Sequence, residues 1–313
     1  MRIGVLTFVD RKEKIAVGTR SIIADAKARG HKVKRLYSKS VDLVFGNGKR
    51  ILYKGKSIAP SDYDVILVRP GFSADPGINS SIIKQFQLAG FHVINGYIGV
   101  FRAKNKIRTL QMLDHFGIPV PKTHVIRDSS LLQATAAELK YPLIIKSIYG
   151  THGKGVFIAE SERSLKPIAE YLITKERGPI KLQEYVQEAN GKDLRIFVAG
   201  KRILASMERT AKKGEFRANF HQGGNVGSVI ITDAEKEIAI KATRILGLDI
   251  AGVDILRTKN GPKIIEVNSN PGIEGISKAS GINVAKKVVD FLERRVEKQK
   301  QKKIPLLKKK MTE

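Results

Sequence analysis

Two acidic residues and an amide near the C-terminal third of the chain have the types and spacing for cation chemistry. Leu248 to Thr258 and Lys263 to Ser269 both have strand character, and the Lys259, Asn260, Gly261 loop between them places glycine where a left-handed residue is wanted. A hairpin with Thr258 facing Pro262 sets Asp254 opposite Glu266. Side chains alternate along a strand, so Asn268 shares their face, and Val253, Ile255, Ile265 and Val267 point the other way. Gly252, opposite Asn268, leaves room above the sheet. Two carboxylates facing across a ladder repel. A hard divalent cation such as magnesium, which takes oxygen ligands, relieves that repulsion.

A second stretch, LIIKSIYGTHGKGVFIAE from Leu143 to Glu160, suits an anion. Gly150, Gly153 and Gly155 permit tight turns that present backbone N–H groups. Lys146 lies mid-strand among isoleucines, where a buried ammonium needs an anion such as phosphate. This is not a Walker loop, because GK[ST] is absent and a strand follows. Lys104, Lys106 and Arg108 fall near the start of another helix. Arg195 and Arg209 lie on two strands separated by AGK, and Arg217, Asn219 and His221 lie in FRANFHQGG. Arginines beside a metal–phosphate site stabilise charge on a transferring phosphoryl group. His152 and His221 read as an exposed and a structural histidine.

The elements that must position these residues follow from pattern. MRIGVLTF, HKVKRLYS and YDVILVRPG read as strands, with a helix from about Thr19 to Arg29 and another from Ile78 to Leu88. VDLVF and RILYKG flank a GNGK turn. This alternation argues for a small α/β domain with a mostly parallel sheet, and no glycine fingerprint follows its first strand. One helix is expected over Arg102 to Phe116. LQEYV reads as a strand, and Thr232 with Glu235 as a capping box for a helix that ends at Gly247. Gly275 to Gly281 reads as a loop. A last helix carries Val284, Val288, Leu292 and Val296, and beyond it a frayed basic tail is expected. No internal repeat is found.

Composition bounds the rest. The 313 residues are 42% hydrophobic, enough for a core, and there is no cysteine, which excludes disulfides, a cysteine nucleophile and thiolate zinc sites. No apolar run is long enough for a bilayer and no signal peptide is read, so a cytoplasmic protein is expected. The net charge is +27. Glu293 to Glu313 holds nine Lys/Arg against three Glu, or +6, which leaves +21 spread over the remainder. Such a field attracts acidic partners; direct nucleic-acid binding is compatible with it but not required.

The set LIIKSIYGTHGKG, LQEYVQEANGKDLR, FRANFHQGG, AGVDIL and IIEVNSNPGIEGISKASG resembles the RimK family of ATP-grasp ligases. The match in motif order and spacing reaches to about Glu293. The resemblance implies an α/β ATP-grasp fold in three parts. An N-terminal Rossmann-like domain (1–97) would precede an ATP-grasp domain (98–292), made of a lid at about 121–186 and a metal-bearing core at about 187–292. A basic tail (293–313) would follow. It implies that Lys106 and Lys146 touch nucleotide phosphates, with Gly150, Gly153 and Gly155 in the lid loop. Glu184, Tyr185 and Val186 would hold adenine by their backbone and Asp193 would bind ribose. Arg217 and Asn219 would face the triphosphate, and Arg217, Arg195 and Arg209 would act in catalysis. Asp254, Glu266 and Asn268 would carry two Mg2+ or Mn2+ ions.

The activity implied is ATP-dependent addition of L-glutamate to a carboxylate through an acyl phosphate, with the acidic C-terminal tail of a small-subunit ribosomal protein as acceptor and a homo-oligomer as the assembly. Two departures stand out: His152 where a Gln is common, and the lysine-rich tail. Rival readings are an amino-acid ligase acting on a coenzyme or carrier protein, a phosphotransferase, and a non-catalytic basic ribosome- or RNA-binding module. Opposed carboxylates at 254 and 266 argue against the last.

Overall fold

The computed structural model describes residues 1–9, 13–46, 48, 50–71, 76–148, 155–176, 178–212, 215 and 225–310, apart from the side chains of 76, 176 and 302–310. Gly150, His152, Gly153, Arg217, Asn219 and His221 lie outside these residues.

The N-terminal part runs β1 (Arg2–Thr7), α1 (Val17–Ala28), β2 (Lys32–Tyr37), β3 (Val41–Val44), β4 (Arg50–Tyr53), β5 (Lys56–Ile58), β6 (Val65–Arg69), α2 (Pro76–Leu88) and β7 (Val93–Ile94). The runs that read as apolar strands form a parallel sheet in the order β2-β1-β6-β7, and β3-β4-β5 is a separate antiparallel sheet. Two helices follow, α3 (Tyr97–Ala103) and α4 (Lys106–His115). The single helix expected over Arg102 to Phe116 is therefore broken. Asn105 breaks it: its Oδ1 accepts from the amides of Ile107 and Arg108 and so starts a new helix.

The next layer holds β8 (Thr123–Ile126), α5 (Leu132–Leu139), β9 (Leu143–Ser147), β10 (Val156–Ala159), α6 (Glu162–Glu176) and β11 (Ile180–Glu184), with sheet order β10-β9-β11-β8. The last layer holds β12 (Lys192–Ala199), β13 (Arg202–Thr210), β14 (Asn225–Gly227), α7 (Asp233–Leu246), β15 (Ile250–Thr258), β16 (Gly261–Asn268), α8 (Glu274–Ser280) and α9 (Val284–Lys310). Its antiparallel sheet is ordered β14-β13-β12-β15-β16. The capping box at Thr232 and Glu235 is present, and Gly247 ends α7 with φ 79°.

Three further expectations change here. Residues 275–281 are not a loop. Ile276 is fully buried and anchors one short helix, which Gly281 terminates with φ 69°. The last helix continues past Val296 to Lys310; the Glu, Lys and Gln that follow Val296 are good helix formers and carry it on without an apolar face as far as Gln301. The β15–β16 turn is tighter than expected, with Thr258 opposite Gly261 and Arg257 opposite Pro262. A register shift after Asp254 then restores the Asp254–Glu266 pairing. The shift also moves Ile264, rather than Ile265, into the core with Val253, Ile255 and Val267.

The N-terminal sheet and the core sheet share one hydrophobic cluster, in which Ile3, Val5, Ile22 and Leu67 meet Phe197, Ile276 and Val288. Asn95 stitches the two parts together. Its Nδ2 donates to the carbonyls of Ile250 and Ser269, and its Oδ1 accepts from the amides of Asp249 and Ile250. All four hydrogen-bonding positions of a buried amide are thus filled, which fixes β6 and β7 against the hairpin.

Candidate active site

The hairpin brings Asp254, Glu266 and Asn268 to one face. Asp254 pairs with Glu266, and Gly252 pairs with Asn268. Asp254 is 2% exposed. Arg195 grips its carboxylate with two donors, Nε to Oδ1 and Nη2 to Oδ2 at 2.7 Å. Arg209 Nη2 lies 3.0 Å from Oδ2, and Arg209 Nε donates to Asp193 Oδ1 at 2.5 Å. The four side chains form an alternating chain, Asp193–Arg209–Asp254–Arg195. Register dictates it: Asp193 sits opposite Arg209 and Arg195 sits opposite Asp254 across neighbouring strands.

Burial alone would push Asp254 up, but Arg195 and Arg209 overcome this and hold it below the usual carboxylate range. Asp193 is pushed up to about 6 by burial, which Arg209 offsets only in part and the charge of Asp254 reinforces. Arg209 is held protonated by the two acids against its burial. Arg195 and Arg209 are thus engaged on acids, and Asp193 turns inward to Arg209 instead of standing open for a ribose.

A carboxylate offers about four lone-pair sites, and three on Asp254 are taken, which leaves one on Oδ1. Glu266 has no hydrogen bond or ion pair among the described residues, and Asn268 Nδ2 is buried with no partner. One lone pair of Asp254, the Glu266 carboxylate and the amide oxygen of Asn268 are an all-oxygen donor set, which fits a hard cation; the orphan Nδ2 of Asn268 takes no part in it.

Lysines face these acids from the lid sheet. Lys146 Nζ donates to Gln183 Oε1 at 2.8 Å, and Gln183 Nε2 donates to Thr123 Oγ1 at 2.7 Å. Lys106 Nζ donates to the Ser147 carbonyl at 3.3 Å. Burial pushes Lys146 down to about 8, with Glu266 opposing that shift and Lys106 adding to it. Sequence reasoning passed over Lys181. It lies opposite Lys146 in the β9–β11 pairing, is 2% exposed, and is pushed well below the ordinary lysine range by burial and by Lys146 and Lys106. The signal was available, since Lys181 stands in an apolar strand as Lys146 does. Lys104 also faces Glu266 and is lowered to about 8 by burial.

At the end of β11, Glu184 pairs with Lys263 of β16, which ties lid to core. The Glu184 amide donates to the Lys122 carbonyl and the Val186 carbonyl accepts from Ala189. Tyr185 follows directly, where the chain leaves the sheet. Gly155, with φ 76°, closes the described part of the glycine loop, and the Ser147 amide donates to its carbonyl.

Residues 103–292 match the model of the RimK-like ATP-grasp domain. The chain belongs to the RimK-like ATP-grasp family. It is an ATP-grasp, amide-forming ligase. A probable alpha-L-glutamate ligase of Thioalkalivibrio sulfidiphilus is 37% identical over 94% of this chain and 95% of that protein. One of Vibrio atlanticus is 37% identical over 94% and 96%. Among solved structures, the ATP-grasp ligase PsnB complexed with minimal precursor superposes with TM-score 0.73 at 19% identity, covering 93% of this chain and 98% of that one. D-alanine–D-alanine ligase from Bacillus anthracis, complexed with ATP, gives 0.70 at 16% identity over 97% and 99%. Among the described residues no helix is long and apolar enough to cross a membrane.

Proposed function

We propose that this RimK-like ligase joins the amine of L-glutamate to an acceptor carboxylate at the expense of ATP. The observation that carries the reading is the opposition of Asp254 and Glu266, with Asn268 on the same face, beside Lys146 and Lys181 of the lid sheet and Lys106 of α4. Lys106, Lys146 and Lys181 take the triphosphate. The Tyr185 peptide and its neighbours Glu184 and Val186 meet the adenine. Asp254, Glu266 and Asn268 hold the divalent ions, Mg2+ or Mn2+, whose contribution is to neutralise phosphate charge. Arg217 and Asn219, with Gly150 and Gly153, are assigned to the triphosphate side by family resemblance. Asp193 keeps Arg209 in place, and Arg195 and Arg209 together hold Asp254 ionised.

In the reaction an acceptor carboxylate oxygen attacks the γ-phosphorus, the bond to the bridging oxygen breaks, and ADP leaves. The glutamate amine then attacks the acyl carbon, the C–O bond to phosphate breaks, and the amine loses a proton. Carboxylate and triphosphate repel each other, so the cluster of ammonium and guanidinium groups is what allows their approach. The basic surface favours an acidic acceptor, and we assign it to the acidic C-terminal tail of a small-subunit ribosomal protein. A cytoplasmic location and a homo-oligomeric state belong to the same proposal.

Incubation with ATP, Mg2+, L-glutamate and small-subunit ribosomal proteins, followed by intact-mass measurement, tests it. Mass gain in glutamate units is expected. Phosphate-sized gain, or gain on a carrier or coenzyme alone, would replace this reading.

A further inference from the structure

The carboxyl end of β6 carries a buried guanidinium that, among the described residues, pairs with no acid. Arg69 is 6% exposed. Its Nε donates to Thr19 Oγ1 at 3.1 Å and its Nη2 to the Pro271 carbonyl at 3.2 Å, and both acceptors are neutral. No carboxylate pairs with it among the described residues, and burial pushes it down to about 10. Arg209, also buried, sits instead between Asp193 and Asp254. A guanidinium has five N–H donors, so Arg69 retains unused ones, including both on Nη1.

Three independent features surround it. Thr19 lies in the first turn of α1, a 12-residue helix whose amino end has no side-chain cap and carries partial positive charge. In the turn leading to Pro271, Asn268 Nδ2 and Ser269 Oγ, both able to donate to a carboxylate, are buried without a partner. Thr7 and Arg69 end two adjacent parallel strands in register, and ligands bind at the carboxyl ends of such strands.

The residues around Arg69 adjoin the acidic face. A Cβ placed on Gly252 would lie 2.8 Å from Pro271 Cβ and 3.1 Å from Arg195 Cδ, so Pro271 bridges from Arg69 to the site of Asp254. A guanidinium matches a carboxylate with two parallel donors, and both substrates of a carboxylate–amine ligase carry carboxylates.

We propose that Arg69, with the amino end of α1 and the 268–270 turn, receives a non-reacting carboxylate of one of the two joined substrates and so positions that substrate. This deepens the ligase reading and rests on it. The source is the incoming amino acid or a carboxylate next to the reacting one on the acceptor.

Initial rates of wild type, R69K and R69M, with L-glutamate, an acidic acceptor peptide and ATP varied in turn, separate these. R69M is expected to raise the KM of one carboxylate substrate at least tenfold and to leave the KM of ATP within twofold, with R69K between. Movement of the glutamate KM assigns the pocket to the incoming amino acid; movement of the peptide KM assigns it to the acceptor. Amide analogues of that substrate, assayed with wild type, reproduce the loss without altering the protein, so a misfolded variant does not decide the matter. Both KM values within twofold in R69M, or amides as good as acids in wild type, overturn the proposal. Should wild type join nothing, the ligase reading fails on its own. Calorimetric titration of wild type and R69M with L-glutamate and with neutral glutaramide then decides the pocket. Acid binding confined to wild type supports it, and equal or absent acid binding removes it.

Discussion

Lys181 and Lys146 stand directly opposite each other on β11 and β9, two buried amines on neighbouring strands whose charged forms Glu266 favours. Burial favours the neutral amines, and an arriving anion favours the charged ones. Charge-assisted hydrogen bonds contribute about 1.5–3 kcal/mol, which corresponds to about ten- to hundredfold in affinity. K181M is therefore expected to weaken ATP and ADP by about tenfold or more and to leave adenosine unchanged. Calorimetric titration with the three ligands checks this, and equal weakening of adenosine would point to a damaged lid instead.

The depressed pKa of Lys146 sets a pH dependence with a definite sign. Free protein holds this amine protonated only below about 8. A bound triphosphate favours the ammonium form and raises that pKa. Below 8 the charge of Lys146 is already present and this group adds no pH dependence to ATP affinity. Above 8 binding must return a proton to it, so the KM of ATP rises with pH, up to about tenfold per unit for this one group. Titrations in two buffers of different ionisation enthalpy should show proton uptake at pH 9 that K146M lowers, and at pH 7 K146M should change the uptake little.

The acidic pair makes a third prediction. E266Q keeps shape and removes the uncommitted carboxylate, and is expected to lower ligase kcat by about two orders of magnitude or more, by the usual cost of losing an electrostatic stabiliser. D254N should lose as much activity and also stability, because it leaves Arg195 and Arg209 facing a neutral amide. Kinetics at varied Mg2+ and a thermal melt distinguish the two variants.

Much of this arrangement was legible in the residues. The alternation of AGVDIL and IIEVN was enough to pair Asp254 with Glu266, although the expected turn was one residue too long and a bulge supplied the correction. That the parity error fell on Ile264 and Ile265 reflects how two isoleucines look alike to a period-two pattern. The clamp of Arg195 and Arg209 on Asp254 was not legible. It depends on which strands become neighbours, and β12 pairs with β15 although Arg195 and Asp254 are 59 positions apart with β13, β14 and α7 between them. Lys181 and Arg69 were missed because apolar strands draw attention to their apolar residues. In both, the single cation was the informative residue.

Helix α7 offers a test of stability away from the chemistry. Thr232 Oγ1 accepts from the Glu235 amide at 3.2 Å, and the Glu235 carboxylate accepts from the Thr232 amide at 2.8 Å and from Arg257 Nε at 2.6 Å. T232A is expected to cost about 1 kcal/mol, the usual worth of a cap, with kcat unchanged. Burial would raise Glu235, but Arg257 and the Thr232 amide lower it below its ordinary 4.5. The contribution of Glu235 is therefore complete above that value and is lost as pH falls through its lower folded pKa. Wild type should lose more stability than E235A on acidification below 4.5, as chemical denaturation at stepped pH would show.

The glycine at 252 makes the sharpest structural prediction. Its position opposite Asn268 was read as room above the sheet, and that space is filled by Pro271 and the Arg195 side chain. A methyl group there would meet Pro271 Cβ at 2.8 Å, closer than carbon atoms pack, and Arg195 Cδ at 3.1 Å. Pro271 is held by Arg69 and Arg195 by Asp254, so neither yields without disturbing a buried ion pair or the proposed carboxylate pocket. G252A is thus expected to fold, since β15 keeps its ladder, but to raise the KM of a carboxylate substrate and lower kcat together, each by about tenfold or more. Adenosine affinity, read at the far end of the cleft, should not move. If G252A kept wild-type kinetics, the close packing of Pro271 over the acidic face would have no part in the reaction.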